Sequence, residues 1–131
     1  EIDYAPVAFA SAREHRNVLA TIDRAAALFK QAHLRIATGR LNDALREILV
    51  ERGPSAKRGT AAPKIYYATQ ISAAPPTIVL FVNNPDRVTQ DYQRFLLNRF
   101  RERLPFERIP IRLVFRASRG RVPGASVDAT R

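Results

Sequence analysis

Apolar and polar residues alternate from Lys64 to Ile71, and an unbroken apolar run follows from Ile78 to Val82. In the first run Ile65, Tyr67, Thr69 and Ile71 point one way, and Lys64, Tyr66, Ala68 and Gln70 the other. A period of two built from aromatic and β-branched residues predicts a strand with one wet face. The second run is apolar on both faces and predicts an interior strand covered on both sides. Pro75 and Pro76 have no amide to give a ladder, so they fall in the connection. Strands this close in sequence pair most simply as an antiparallel unit.

Elsewhere the apolar spacing is three and four, the period of a helix with one buried stripe. Val18, Leu19, Ile22, Ala25, Ala26, Phe29 and Ala32 predict a first helix, with Asn17 as a cap whose side chain accepts a free amide. Leu41, Ala44, Leu45, Ile48 and Leu49 predict a second, capped by Thr38 and stopped by Gly53-Pro54. Val88, Tyr92, Phe95, Leu96, Phe100 and Leu104 predict a third, ended by Pro105. Asn84 or Asp86 caps it, and Pro85 fits its first turn. A last strand is expected over Ile109–Phe115, where Ile111, Leu113 and Phe115 alternate with Arg112, Val114 and Arg116.

Pro6 to Ala10 reads as a short strand, followed by a loop to Arg16. Pro54 to Pro63 reads as a mobile linker, and residues 117–131 as a basic disordered tail. From residue 36 the order is helix, strand, strand, helix, strand. That order predicts a two-layer α+β domain, a three-stranded sheet with both helices on one face.

Charge narrows the function. The chain has 131 residues and a formal net charge of +10, almost all of it carried beyond residue 35. A surface this basic attracts polyanions, nucleic-acid phosphates above all; the plainer alternative is that it serves solubility. On the third helix Arg87, Arg94 and Arg101 are spaced by seven, which on one continuous helix makes a line with about 10 Å between neighbours. With Arg112 and Arg116 they are the candidate phosphate contacts. The alternative for the arginine line is a solvated face in local ion pairs with Asp91 and Glu102. Tyr66, on the wetter strand face, is placed to stack on a base or to pack against a neighbouring domain.

The sequence also excludes chemistry. It has no cysteine, hence no disulfide and no thiolate metal site. His15 and His33 stand far apart without neighbouring ligands, so no metal is expected. There is no G-x-x-x-x-G-K-[ST] phosphate loop and no acid–base constellation. No apolar run approaches 18 residues, so no membrane span is expected. Glu1 stands where a start methionine would, so the chain is expected to be a piece of a longer one.

Arg35-Ile36-Ala37-Thr38, Leu41-Asn42, Lys64 to Gln70, Ala74-Pro75-Pro76-Thr77, Phe81-Val82-Asn83, Tyr92 to Asn98 and Pro110-Ile111-Arg112 resemble, in order, the C-terminal KH-like domain of the Der (EngA) family of bacterial GTPases. The resemblance covers about residues 35–116. It implies three parts: residues 1–35 as the last strand and helix of a Ras-like GTPase domain, 36–116 as the KH-like domain, and 117–131 as the tail. It implies a parent that uses GTP and Mg²⁺ in the cytoplasm, while this piece alone is inactive and holds no cofactor. It further implies large-ribosomal-subunit assembly, with ribosomal RNA and the GTPase domains of the same chain as partners. The alternative use is a protein-docking module that reads the nucleotide state of those domains. Phe9-Ala10-Ser11-Ala12 resembles the guanine-contacting Ser-Ala motif, which makes Ser11 and Ala12 guanine-binding candidates once the rest of the GTPase is present. The family's Thr-Gly pair after that motif is replaced by Glu14-His15. KH domains clamp nucleotides with a G-x-x-G loop. None occurs here, and a proline in Asn83-Asn84-Pro85-Asp86 lacks an amide, so contact is expected to be led by arginine and phosphate.

Overall fold

The computed structural model describes residues 2–120. Its elements are α1 (Val18–Ala32), α2 (Thr38–Glu51), β1 (Ile65–Ser72), β2 (Thr77–Val82), a 3₁₀ turn (Pro85–Arg87), α3 (Gln90–Arg103) and β3 (Arg112–Ala117). The sheet order is β1-β2-β3. β1 pairs with β2 antiparallel, and β3 returns through α3 to lie parallel to β2. From residue 36 onward this is the expected helix-strand-strand-helix-strand order.

One core joins both layers. Leu41, Ala44, Leu45 and Ile48 of α2 and Tyr92, Leu96 and Phe100 of α3 meet Ala68, Ile78, Leu80 and Val82 of the sheet. Leu113 and Phe115 of β3 pack against the same cluster. Phe106, Ile109 and Ile111 close its end ahead of β3, which therefore starts at Arg112 and not at Ile109.

The face assignment within β1 is the reverse of the one expected. Ala68 is fully buried in the core, whereas Ile71 is 44% exposed. A register irregularity between Ile65 and Tyr67 inserts an extra residue and moves the side chains from Tyr67 to Gln70 to the other face, and a second irregularity follows between Gln70 and Ser72. Tyr67 and Phe81 then stack, centroids 4.5 Å apart, on the face away from the core helices.

β1 is an edge strand, and two side-chain amides deal with its edge. Asn42 Nδ2 donates to the Ala68 carbonyl at 2.9 Å, and Asn42 Oδ1 accepts from the Ala68 amide at 2.8 Å. Gln70 Oε1 accepts from the Ile36 amide at 2.8 Å, and its Nε2 donates to the Leu34 carbonyl at 3.0 Å. A side chain that supplies both a donor and an acceptor leaves no backbone pair at Ala68 for another chain to join.

Asn17 holds the expected cap position of α1 but not the expected bond, and Thr38 does not cap α2. Asn17 has φ 55 and forms no cap hydrogen bond; its Nδ2 donates to the Phe9 carbonyl. Thr38 lies inside α2, and Ala37 holds the cap position. Pro6 to Ala10 forms no strand, because no described strand lies beside it to supply a ladder. The linker at 54–63 has no regular element, though Lys57 Nζ donates to the Asp86 carbonyl. The expected basic tail lies outside the described residues from 121 on. Before that, β3 runs to Ala117 and the Ser118 amide donates to the Val82 carbonyl at 2.7 Å.

Candidate nucleic-acid interface

The arginine line is broken in the structure. α3 begins at Gln90, with Thr89 as its cap: Thr89 Oγ1 accepts from the Tyr92 amide at 3.2 Å. Asn84 caps only the short 3₁₀ turn, where its side chain accepts from the Asp86 amide. Arg87 ends that turn, and Val88 and Thr89 are extended between it and α3. The helical phase that would align Arg87 with Arg94 is lost across those two residues.

The five arginines therefore occupy separate places. Arg94 is exposed beside a groove of about 330 Å³ formed by Gln90, Gln93 and Leu97 of α3 with Ile111 and Leu113. Arg112 and Arg116 are exposed on β3, alternating with the core-facing Leu113 and Phe115. They point to the sheet face away from the core helices. Arg87 is half-buried, in the turn that lies against β3. Arg101 is half-buried too, its guanidinium 4.0 Å from the centroid of the Tyr4 ring.

The arginines nearest α2 are used differently. Arg99 Nε meets Glu51 at 2.8 Å, and Arg99 Nη1 meets Glu102 at 2.8 Å. Arg103 reaches Glu47 at 3.3 Å and Glu51 at 3.1 Å. Hydrogen bonding to Glu102, above all, raises the Arg99 pKa. Arg52 and Arg99 both stack on the Phe95 ring. These contacts clamp α2 to α3. Of the two acids expected to pair along the arginine line, Asp91 and Glu102, the second is engaged by Arg99.

In the Asn83–Asp86 loop Pro85 has no amide, and the amides of Asn83 and Asp86 donate to the Lys64 carbonyl and the Asn84 side chain. The amides of Arg87, Val88 and Gln93 donate to the carbonyls of Asn84, Pro85 and Thr89. Val88 is buried in the core. Backbone clamping of phosphates needs free N–H groups, so charge and arginine side chains must carry any such contact here.

A second groove, of about 550 Å³, runs along the β1 edge between α2 and the sheet. Thr38, Asn42, Arg46 and Leu49 line one side, and Tyr66, Tyr67, Ile71 and Phe81 the other. Tyr66 is 40% exposed. Burial raises the pKa of Tyr67, and its hydroxyl is buried without a hydrogen-bond partner.

Ser11 and Ala12 sit in a turn closed by paired backbone bonds of 3.0 Å between Ser11 and Arg16. Ser11 Oγ accepts from the Glu14 amide at 3.2 Å. His15 has φ 53, the left-handed conformation that glycine takes at least cost. His33 stacks on Phe29 at the end of α1, centroids 4.0 Å apart. No group of metal-holding side chains occurs among the described residues.

Sequence reading missed the amide pins Asn42 and Gln70 and the Tyr4–Arg101 contact. The signal for Asn42 was present: a polar side chain directly beside Leu41 on the core-facing part of an amphipathic helix. Nothing local to Tyr4 announces its partner across the chain.

The family of KH-domain-like C-terminal regions of EngA bacterial GTPase enzymes matches residues 35–116. The chain belongs to that family. The matched stretch runs from just before α2 to the penultimate residue of β3, the unit that shares the core described above. Among relatives, the GTPase Der of Rhodopirellula baltica is 45% identical over 112 residues, 86% of this chain and 24% of that protein. The GTPase Der of Moorella thermoacetica is 46% identical over 121 residues, 90% of this chain and 27% of its own length. That of Syntrophobacter fumaroxidans is 42% identical over 125 residues, 95% of this chain and 28% of its own. The chain spans about a quarter of the length of the curated relatives it matches. The KH-like fold is thus present without the G-x-x-G that KH domains use.

Proposed function

We propose that this KH-like chain is the RNA-contacting module of a cytoplasmic Der-type GTPase that acts in assembly of the large ribosomal subunit. Its targets are ribosomal RNA phosphates. The rest of the parent handles GTP and Mg²⁺. The observation that carries the reading is a contrast among the arginines. Arg99 and Arg103 are consumed by carboxylates, whereas the guanidinium groups of Arg94, Arg112 and Arg116, all exposed residues, have no hydrogen-bond or ion-pair partner among the described residues. Unpaired arginines on a chain of net charge +10 lose little on meeting phosphate.

Residues 1–35 fit the proposal as the trailing strand and helix of a GTPase domain. Supporting this, α1 has no buried residue, and Leu19, Ile22 and Phe29 leave an apolar stripe in water beside Val7 and Phe9. Such a stripe is what a missing domain core would cover. In that setting Ser11 and Ala12 approach guanine.

Fluorescence anisotropy with a short labelled single-stranded RNA, titrated across KCl concentrations, tests the proposal. Binding should weaken steeply with salt, and Arg94→Glu combined with Arg112→Glu should weaken it alike for unrelated sequences. Affinity unmoved by both changes at moderate salt overturns it. A second reading, docking on a GTPase domain of the same parent, draws support from the apolar groove at Tyr66, Ile71 and Phe81. It expects a separately produced GTPase domain to bind the chain more tightly in one nucleotide state, and Tyr66→Asp to abolish that binding.

A further inference from the structure

A cavity of about 900 Å³ lies between the N-terminal segment and the C-terminal half of α3. Asp3 and Tyr4 form one wall, and Asn98, Arg99 and Arg101 another. Arg101 differs from Arg99 in how its charge is met. Arg99 has two carboxylates. Arg101 has no carboxylate partner among the described residues and meets the Tyr4 ring instead; the Nε atoms of both arginines are buried without a hydrogen-bond partner. An aromatic face attracts a guanidinium but leaves the charge un-neutralised, so an anion remains the better partner.

Tyr4 is held from outside the KH-like body. Arg24 Nη1 donates to the Val7 carbonyl at 3.0 Å, and Asn17 Nδ2 to that of Phe9, so the N-terminal segment travels with α1. α1 touches the body only near its last turn. There Leu28 and Ala32 pack on the core, Gln31 Oε1 accepts from the Arg108 amide, and the Ala74 amide donates to the Ala32 carbonyl. While the segment stays in place, a phosphate nearing Arg101 also meets Asp3, Glu102 and Glu107 around the same cavity.

We propose that Tyr4 is a latch over Arg101: the N-terminal segment withholds this arginine from RNA phosphate, and its withdrawal adds one phosphate contact. The inference rests on the RNA reading above and supplies its regulation, since whatever moves the upstream segment sets the number of arginines on offer.

The same anisotropy assay, with a labelled single-stranded RNA of mixed sequence, tests the latch in the full chain. Tyr4→Ala should tighten binding severalfold and steepen the slope of log affinity on log salt by about 0.7, one extra single-strand phosphate. Tyr4→Phe, which keeps the ring, should bind as wild type does. In an Arg101→Ala chain, Tyr4→Ala should change nothing. Weaker or unchanged binding by Tyr4→Ala overturns the latch, as does an equal gain in the Arg101→Ala background. Arg94→Glu combined with Arg112→Glu, measured alongside, separates the two levels. If it weakens binding while Tyr4→Ala does not strengthen it, only the latch falls. If it has no effect, the RNA reading falls and takes the latch with it.

Discussion

Tyr92 ties the two helices of the core together, and it does so in a pH-dependent way. Its side chain is 1% exposed, and its hydroxyl donates to the Arg52 carbonyl at 2.8 Å. Burial pushes its pKa up to about 12, with the Arg52 charge pulling slightly the other way. The folded chain thus keeps a phenolic proton that the unfolded chain gives up near pH 10. The stability gained from this proton is whole below pH 10 and is lost as pH rises toward 12, amounting to about 1 kcal/mol lost at pH 11. Urea midpoints near neutrality and near pH 11 measure this. Tyr92→Phe should begin about 1 kcal/mol below wild type, because the Arg52 carbonyl loses its donor. It should then show a smaller alkaline decline.

At the scale of elements, the edge of β1 is where one polar side chain matters most. Asn42→Leu removes the partner of both the Ala68 amide and its carbonyl, and should cost about 2 kcal/mol by chemical denaturation. The ion-pair clamp between α2 and α3 looks more substantial but is half-solvated: Glu51→Ala should cost no more than about 1 kcal/mol. These elements also show what the sequence discloses and what it hides. Helical and strand periods, each set by local sterics, located α2, α3, β1 and β2, and with the family resemblance they were enough for the fold. Phase and capping were not legible. One inserted residue near Tyr66 turned Ala68 inward, a change decided by fit under α2. The seven-residue spacing of Arg87, Arg94 and Arg101 implied a line only if one helix ran through all three, and Thr89 starts α3 too late for that. The candidate arginines were visible as residue types; their separation onto different faces depends on tertiary contacts that no local pattern encodes.

Taken whole, the molecule is a packed KH-like body with a helix attached at one end. α1 should therefore contribute to stability only through its last turns. Leu19→Ser, at a position 77% exposed, should lie within about 0.5 kcal/mol of wild type. Leu28→Ser, which disturbs packing on the core, should cost more than about 1 kcal/mol, followed by circular dichroism of the sheet in urea. No helix among the described residues is long and apolar enough to cross a membrane.

The parallel pairing of β3 with β2 has a consequence for how the chain is made. β1 and β2 close as a hairpin soon after both are synthesised, but Leu113 and Phe115 reach Ile78 and Leu80 only after all of α3 has followed. Until then β2 keeps one bare side, and the loop to be closed is long. A nascent chain paused before Arg112 would be a sticky half-sheet, so the pace of translation through α3 fixes how long that hazard lasts.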